Sequence, residues 1–234
     1  MKKIILVTLL LSGLSNAKGQ EVEGDMNVWF FMLNHYSINE KWRIGNEIHV
    51  RRYDWTKEQQ QFLIRPYLDF RLNKEVVFTL GYTHLKTSSF GPLPSGITVP
   101  ENNMWEQVTL NQTIGKLGIS HRFRMEHRWI GNIVGDDING YAIEGTNFAN
   151  RFRYRLTFRH DLGEKWFAHV FNEFWFHQDG LKPESFDRNW FYVGLGYRVA
   201  ESGNVQLGYM KQRIKVGDNF LEMPTFQLMF QYDF

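Results

Sequence analysis

The stretch RFRYRLTFRH, residues 151–160, places arginine at 151, 153, 155 and 159 and Phe152, Tyr154, Leu156 and Phe158 between them. Successive side chains of a β-strand point to opposite faces, so this segment carries fixed positive charge on one face and large apolar groups on the other. A soluble barrel would turn the apolar row inward and the arginines to water. A membrane barrel inverts that arrangement, with aromatics toward lipid and arginines toward the lumen.

The same period-two alternation recurs along the chain. Trp42, Ile44, Ile48 and Val50 alternate with Arg43, Glu47, His49 and Arg51. Phe62, Ile64, Leu68 and Phe70 alternate with Gln61, Arg65, Asp69 and Arg71, and Ile119, Phe123, Met125 and Trp129 with Arg122, Arg124, Glu126 and Arg128. Further strands are read at Val76–Tyr82, from 166, from 191, from 205 and at the C-terminus. The pattern amounts to about eleven strands of roughly 9–11 residues, the length of a tilted bilayer crossing. Helical periodicity and a domain linker are both absent from it.

Short turns of Asn, Gly, Asp and Ser at 37–41, 73–75, 115–116, 161–165 and 199–203 alternate with longer polar segments at 54–60, 86–103, 131–147, 178–187 and 214–222. Short turns at one end and long loops at the other are the asymmetry of an outer-membrane barrel. Trp42 and Trp166 follow short turns, whereas Trp55, Trp105, Trp129, Trp175 and Trp190 fall near long loops. That spacing suggests two interfacial girdles of indoles. The chain ends on Phe226, Leu228, Phe230, Tyr232 and Phe234. Of these, Phe230, Tyr232 and Phe234 form the aromatic pattern expected of an assembly signal read by the outer-membrane barrel assembly machinery.

The opening MKKIILVTLLLSGLSNAKG has the charged, apolar and small-residue regions of a secretory signal peptide, assigned to residues 1–19. Residues 20–234 are then expected to form one barrel domain in the cell outer membrane. Without cysteine there is neither a disulfide framework nor a lipidated cysteine. The 27 Lys and Arg stand against 25 Asp and Glu. Loss of Lys2 and Lys3 makes the two balance, so overall charge offers nothing to nucleic acid.

The expected fold class is all-β: a transmembrane antiparallel up-and-down β-barrel of ten to twelve strands, with twelve favoured because bacterial barrels carry even numbers. So narrow a barrel is filled by its inward side chains. The expected lumen residues are Arg43, Glu47, Arg51, Arg65, Asp69, Arg71, Arg122, Arg124, Glu126, Arg128, Arg151, Arg153, Arg155, Arg159, Glu173 and Arg198. Isolated buried ions are costly, so an arginine–carboxylate network is expected across the middle.

WEQVTLNQTIGKLGISHRFRMEHRWI (105–130), followed by NRFRYRLTFRHDL, NEFWF and DRNWFYVGLGYRV, resembles the domain of unknown function 2490 family. The carrying motifs are His121-Arg122-x-Arg124-x-Glu126-x-Arg128, Arg151-x-Arg153-Tyr154-Arg155 and Gly194-Leu195-Gly196-Tyr197. The resemblance spans residues 25 to 234 and implies an outer-membrane barrel; it carries no catalytic residue.

Chemistry is sparsely signalled. His84 with Ser88 and Ser89 resembles an acyl-transfer pair only loosely. Asp136, Asp137, Asn139 and Gly140 fail the EF-hand spacing and read as a surface turn. His121 and His127 lie too far apart to share a metal. Glu126 and Glu173, among arginines, suit ion pairing rather than general-acid work, and Gly81, Gly194, Gly196 and Gly208 read as close-packing positions. No metal or other cofactor is expected. The functional expectation is a structural or binding barrel of unknown ligand with a largely filled lumen. A narrow anion-preferring channel and a lipid-modifying enzyme are the alternatives. The expected partners are the lipid bilayer, lipopolysaccharide and, in the channel or binding case, a small anionic solute.

Overall fold

The computed structural model describes residues 21–177 and 185–234. The expected signal peptide, and residues 178–184 of one expected loop, lie outside them. The strands in chain order are β1 (Glu21–Glu23), β2 (Asn27–Ser37), β3 (Trp42–Tyr53), β4 (Glu58–Arg71), β5 (Val76–Thr87), β6 (Val99–Ile114), β7 (Leu117–Asp136), β8 (Gly140–Asp161), β9 (Trp166–His177), β10 (Phe186–Ala200), β11 (Gly203–Val216) and β12 (Asn219–Asp233).

From β2 to β12 each strand pairs antiparallel with the next, and β12 returns to β2 in parallel, from Thr225↔Asn27 to Asp233↔His35. The barrel is therefore closed by eleven strands, within the expected range and one fewer than the favoured twelve. The parallel seam is a geometric consequence. In an up-and-down meander with an odd number of strands, the last strand points the same way as the first. Three-residue β1 continues the seam beside Phe220–Glu222. The seam breaks at residues 24–26, opposite Pro224, which has no N–H to offer; its carbonyl accepts from the Asn27 side-chain amide at 3.1 Å. At the other end, the N–H of Phe234 donates to the carbonyl of His35 at 2.7 Å, so the terminal strand is not a free edge.

Several strands outrun the expected 9–11 residues, β7 with 20 and β8 with 22. The segment 131–147, expected as a loop, is the top of the β7–β8 hairpin, turning at residues 137–139. The segment 214–222 is likewise a tight β11–β12 hairpin turning at Gly217, whose φ of +59° suits glycine. In both places the chain stays paired beyond the apolar band. In the first, most side chains on both faces are exposed, and in the second Phe220 and Leu221 are buried in succession, so alternation no longer marks the strand.

The outer face is apolar. Phe30, Ile44, Leu68, Leu80, Val193, Leu195, Leu207 and Phe230 are all exposed on it. In water so continuous a patch would drive association; against acyl chains it is the matched surface. Trp42, Trp166, Tyr197 and Tyr232 ring the short-turn end, with Trp166 4.8 Å from Tyr197; Trp55 and Trp129 stand toward the other. Trp105, Trp175 and Trp190, expected in the girdle, are instead buried inside the barrel together with Trp29. Their partners explain this, because indole faces receive the guanidinium groups described below.

The interior has two unlike sides. Strands β3 to β8 supply most of the arginines and carboxylates. Strands β2 and β9 to β11 supply an aromatic cluster of Trp29, Phe31, Phe171, Trp175, Trp190, Tyr192 and Met210. Inward glycines make room for these rings. A Cβ on Gly81 would lie 2.1 Å from the Trp105 ring, and one on Gly208 would lie 2.3 Å from that of Tyr192. At the long-loop end, Phe90 from the connection 88–98 folds inward against Tyr53, Ile214, Leu221 and Met223 and covers part of the mouth.

Candidate functional site

The arginine row of the opening stretch lies on the inner face of β8. Register places like charges opposite each other, Arg122↔Arg155 and Arg124↔Arg153, which alone would be repulsive. Two carboxylates interleave them. Glu126 accepts from Arg151 Nε at 2.8 Å and from Arg153 Nη1 at 2.6 Å, with Arg124 Nη1 3.9 Å away. Glu173, 0 % exposed, accepts from Arg153 Nε at 2.9 Å and Arg155 Nη2 at 2.6 Å, and from Arg122. Arg153 bridges the two carboxylates. Charge-assisted bonds of this kind have the strength needed to hold ions away from water.

Smaller pairs surround this centre. Arg65 donates to Glu47 at 2.7 Å, and His49 Nε2 lies 3.1 Å from the same carboxylate. Arg43 Nε donates to Asp69 at 2.9 Å, and Thr79 donates to the other Asp69 oxygen at 2.7 Å. Arg198 pairs with Asp161 near the short-turn end. Arg128 grips Glu101 through two bonds of 2.7 Å. Half-buried Arg71 shares the inner face of β4 with Asp69.

Aromatic faces hold the remaining positive charge. Arg153 stacks 3.6 Å from the Trp175 centroid, Arg124 3.8 Å from Trp105, Arg159 3.7 Å from Phe167, and Arg51 4.0 Å from Trp29. Such stacking lets arginine outnumber acid in a confined space without an anion for every cation.

Sequence reasoning missed Glu101, Asp187 and Arg188, because the first two fall in segments read as loops and the third just before the strand read from 191. Glu101 could have been found by extending the alternation of Asn103, Trp105 and Gln107 backward. Asp187 and Arg188 offered no such signal, since a register shift between Phe186 and Arg188 breaks the period there.

Among the described residues, cavities lie inside the barrel at two levels. One, of about 190 Å³, lies between the charged and aromatic sides and extends toward the long-loop end. The other, of about 250 Å³, is lined by Arg43, Asp69, Thr109 and Asn111 nearer the short turns. Glu47 and Arg122 belong to the walls of both.

The other candidates form no catalytic constellation. His84 Nδ1 bonds Asn102 at 2.8 Å on the outer face, while the Ser89 hydroxyl accepts from the Ser95 N–H at 3.1 Å. Asp136 caps its hairpin turn, accepting from the N–H groups of Asn139 at 2.7 Å and Ile138 at 2.9 Å. Those bonds, led by that from Asn139, hold its carboxyl below the usual range. His121 bonds Tyr154 at 2.9 Å and His127 bonds Asn150 at 2.8 Å, both on the outer face. Among the described residues no three His, Asp or Glu side chains gather as a metal site.

An apolar exterior around a charged interior defines a transmembrane β-barrel. Residues 26–220 match the family described as "Protein of unknown function (DUF2490)", and the chain belongs to that family. Among solved structures it is similar to the porin NanC in a rhombohedral crystal form, with 12% identity, a TM-score of 0.48, and coverage of 81% of this chain and 85% of that one. It is also similar to an anion-selective porin from Comamonas acidovorans, with 11% identity, a TM-score of 0.37, and coverage of 81% and 53% respectively. No curated protein matches the chain.

Proposed function

We propose that this protein is a non-enzymatic outer-membrane barrel whose lumen binds rather than conducts, its centre being closed by the arginine–glutamate network. The observation that carries this reading is the burial of Arg124, Glu126, Arg153 and Glu173 at the centre of the lumen, each engaged with neighbours on adjacent strands. A conducting porin needs a continuous aqueous path. Here ion pairs and stacked rings occupy much of the space that such a path would take. The Phe230, Tyr232 and Phe234 pattern, taken with the leader-like N-terminus, supports export and insertion through the barrel assembly machinery, with lipid and lipopolysaccharide as surroundings.

The excess of lumenal arginine favours a second reading, a narrow anion-preferring channel. Planar-bilayer recordings of the refolded protein separate the two. The expected result is a silent membrane in 1 M KCl, over times in which a porin inserts repeatedly. Reproducible unitary steps with chloride preferred over potassium would replace the first reading with the second.

A further inference from the structure

Resting on the reading of a binding barrel, we propose that the cavity of about 190 Å³ is a recognition site for a small monocarboxylate, no larger than one six-membered ring. Arg51, Arg151, Arg153, Arg188, Trp175 and Trp190 line it. Among the described residues, four donor atoms on these side chains are buried without a hydrogen-bond partner: Arg51 Nε, Arg188 Nε, Trp175 Nε1 and Trp190 Nε1. They belong to one cluster. The Trp175 and Trp190 rings are 4.5 Å apart, the Arg51 guanidinium lies 5.7 Å from Trp190, and that of Arg188 lies 5.1 Å from Trp175.

Buried polar groups without partners are rare and costly, and four donors around one cavity ask for a single acceptor-rich group. An ionised carboxylate has two oxygens, about four lone-pair sites and no donor, which matches the demand. Charge matches as well. Arg51 stacks on Trp29, bonds Gln61 at 2.6 Å and contacts His49 but has no carboxylate within ion-pair distance among the described residues, so this part of the wall is positive. Arg188, by contrast, already faces Asp187 at 3.1 Å. The volume sets the size limit, since a cavity of about 150 Å³ holds a benzene ring. Arg151 and Arg153 cover the Trp175 face, and the Trp190 ring packs against those of Trp175 and Trp29.

Isothermal titration of the full barrel, refolded in detergent, provides the test. The probe is cyclohexanecarboxylate, with cyclohexylmethanol as its neutral counterpart and inorganic phosphate as the competing anion. The expected result is saturable binding of the carboxylate alone, weakened about tenfold or more in Trp190→Phe and in Arg188→Gln, because each loses a bond to a charged group. Heat-modifiable gel migration shows that each variant is folded, and Trp190→Phe keeps the ring that the aromatic cluster needs. Binding of the alcohol or phosphate with equal affinity, absence of carboxylate binding, or carboxylate affinity unchanged in both folded variants would overturn the proposal. A silent bilayer with no carboxylate binding sinks this inference alone, whereas a conducting bilayer sinks the reading beneath it.

Discussion

Glu173→Ala destabilises the folded barrel by about 3–5 kcal/mol, the cost of leaving buried charge without its counter-ion. Arg122, Arg153 and Arg155 all converge on this carboxylate. Its removal sets three guanidinium groups against one another, with Arg153 fully buried and keeping only its bond to Glu126, and with Arg122 and Arg155 left on the cavity wall. Glu173→Gln should cost nearly as much, because the amide keeps the volume but not the charge. A paired change, Glu173→Ala with Arg155→Ala, should recover part of the loss by removing one of the stranded cations. Guanidinium titration of the barrel in lipid vesicles, followed by tryptophan fluorescence, measures all three. A loss below about 1 kcal/mol in Glu173→Ala would mean that the network is wet and screened, like an exposed ion pair, and would remove the main support for a closed lumen.

Legibility from sequence tracks the contrast between the two faces of each strand. Where lipid lies on one side and lumen on the other, as along Arg151–Arg159 or Trp42–Arg51, period two is strong and the inward residues can be read directly. Above the membrane that contrast vanishes. Asn132–Ile143 carries no clean alternation, although the β7–β8 ladder continues to Asp136↔Gly140. Tryptophan misleads for a related reason. An indole near a strand end suits an interface, but it suits an arginine face equally well. Nothing local to Trp105 or Trp175 tells that Arg124 or Arg153 will lie across it. Pairing partners also stay hidden: Glu173 is a plausible lumen acid from its strand, yet its meeting with Arg122, 51 residues away, depends on the closed register. Strand parity was unreadable too. NVWFFMLNHY (27–36) is apolar on both faces because Trp29 and Phe31 join the aromatic side of the lumen while Phe30 and Met32 face outward.

The inversion itself can be tested on one strand. Val193 and Val199 are both exposed on β10, the latter at a bulge just before the turn. Val193 stands at mid-height, opposite Val170 and Tyr209, whereas Val199 is next to the turn at 201–202. An arginine at the bilayer midplane costs about 2–4 kcal/mol, falling to about 0–1 kcal/mol near the interface. Val193→Arg should therefore lower vesicle stability by several times as much as Val199→Arg, with both variants still heat-modifiable. The gap arises only if hydrocarbon covers the middle of β10. A water-facing exterior would leave both substitutions within about 0.5 kcal/mol of wild type, as ordinary surface changes are. A lumen-facing Val193 would instead place the new guanidinium among Arg155 and Arg122, where an added acid, Val193→Glu, would be tolerated better than arginine. On the lipid face neither charge finds a partner, so Val193→Glu should also be destabilising, though less than arginine. Equal or better stability of Val193→Glu than wild type would place this face toward the arginines and reverse the orientation assigned to every strand.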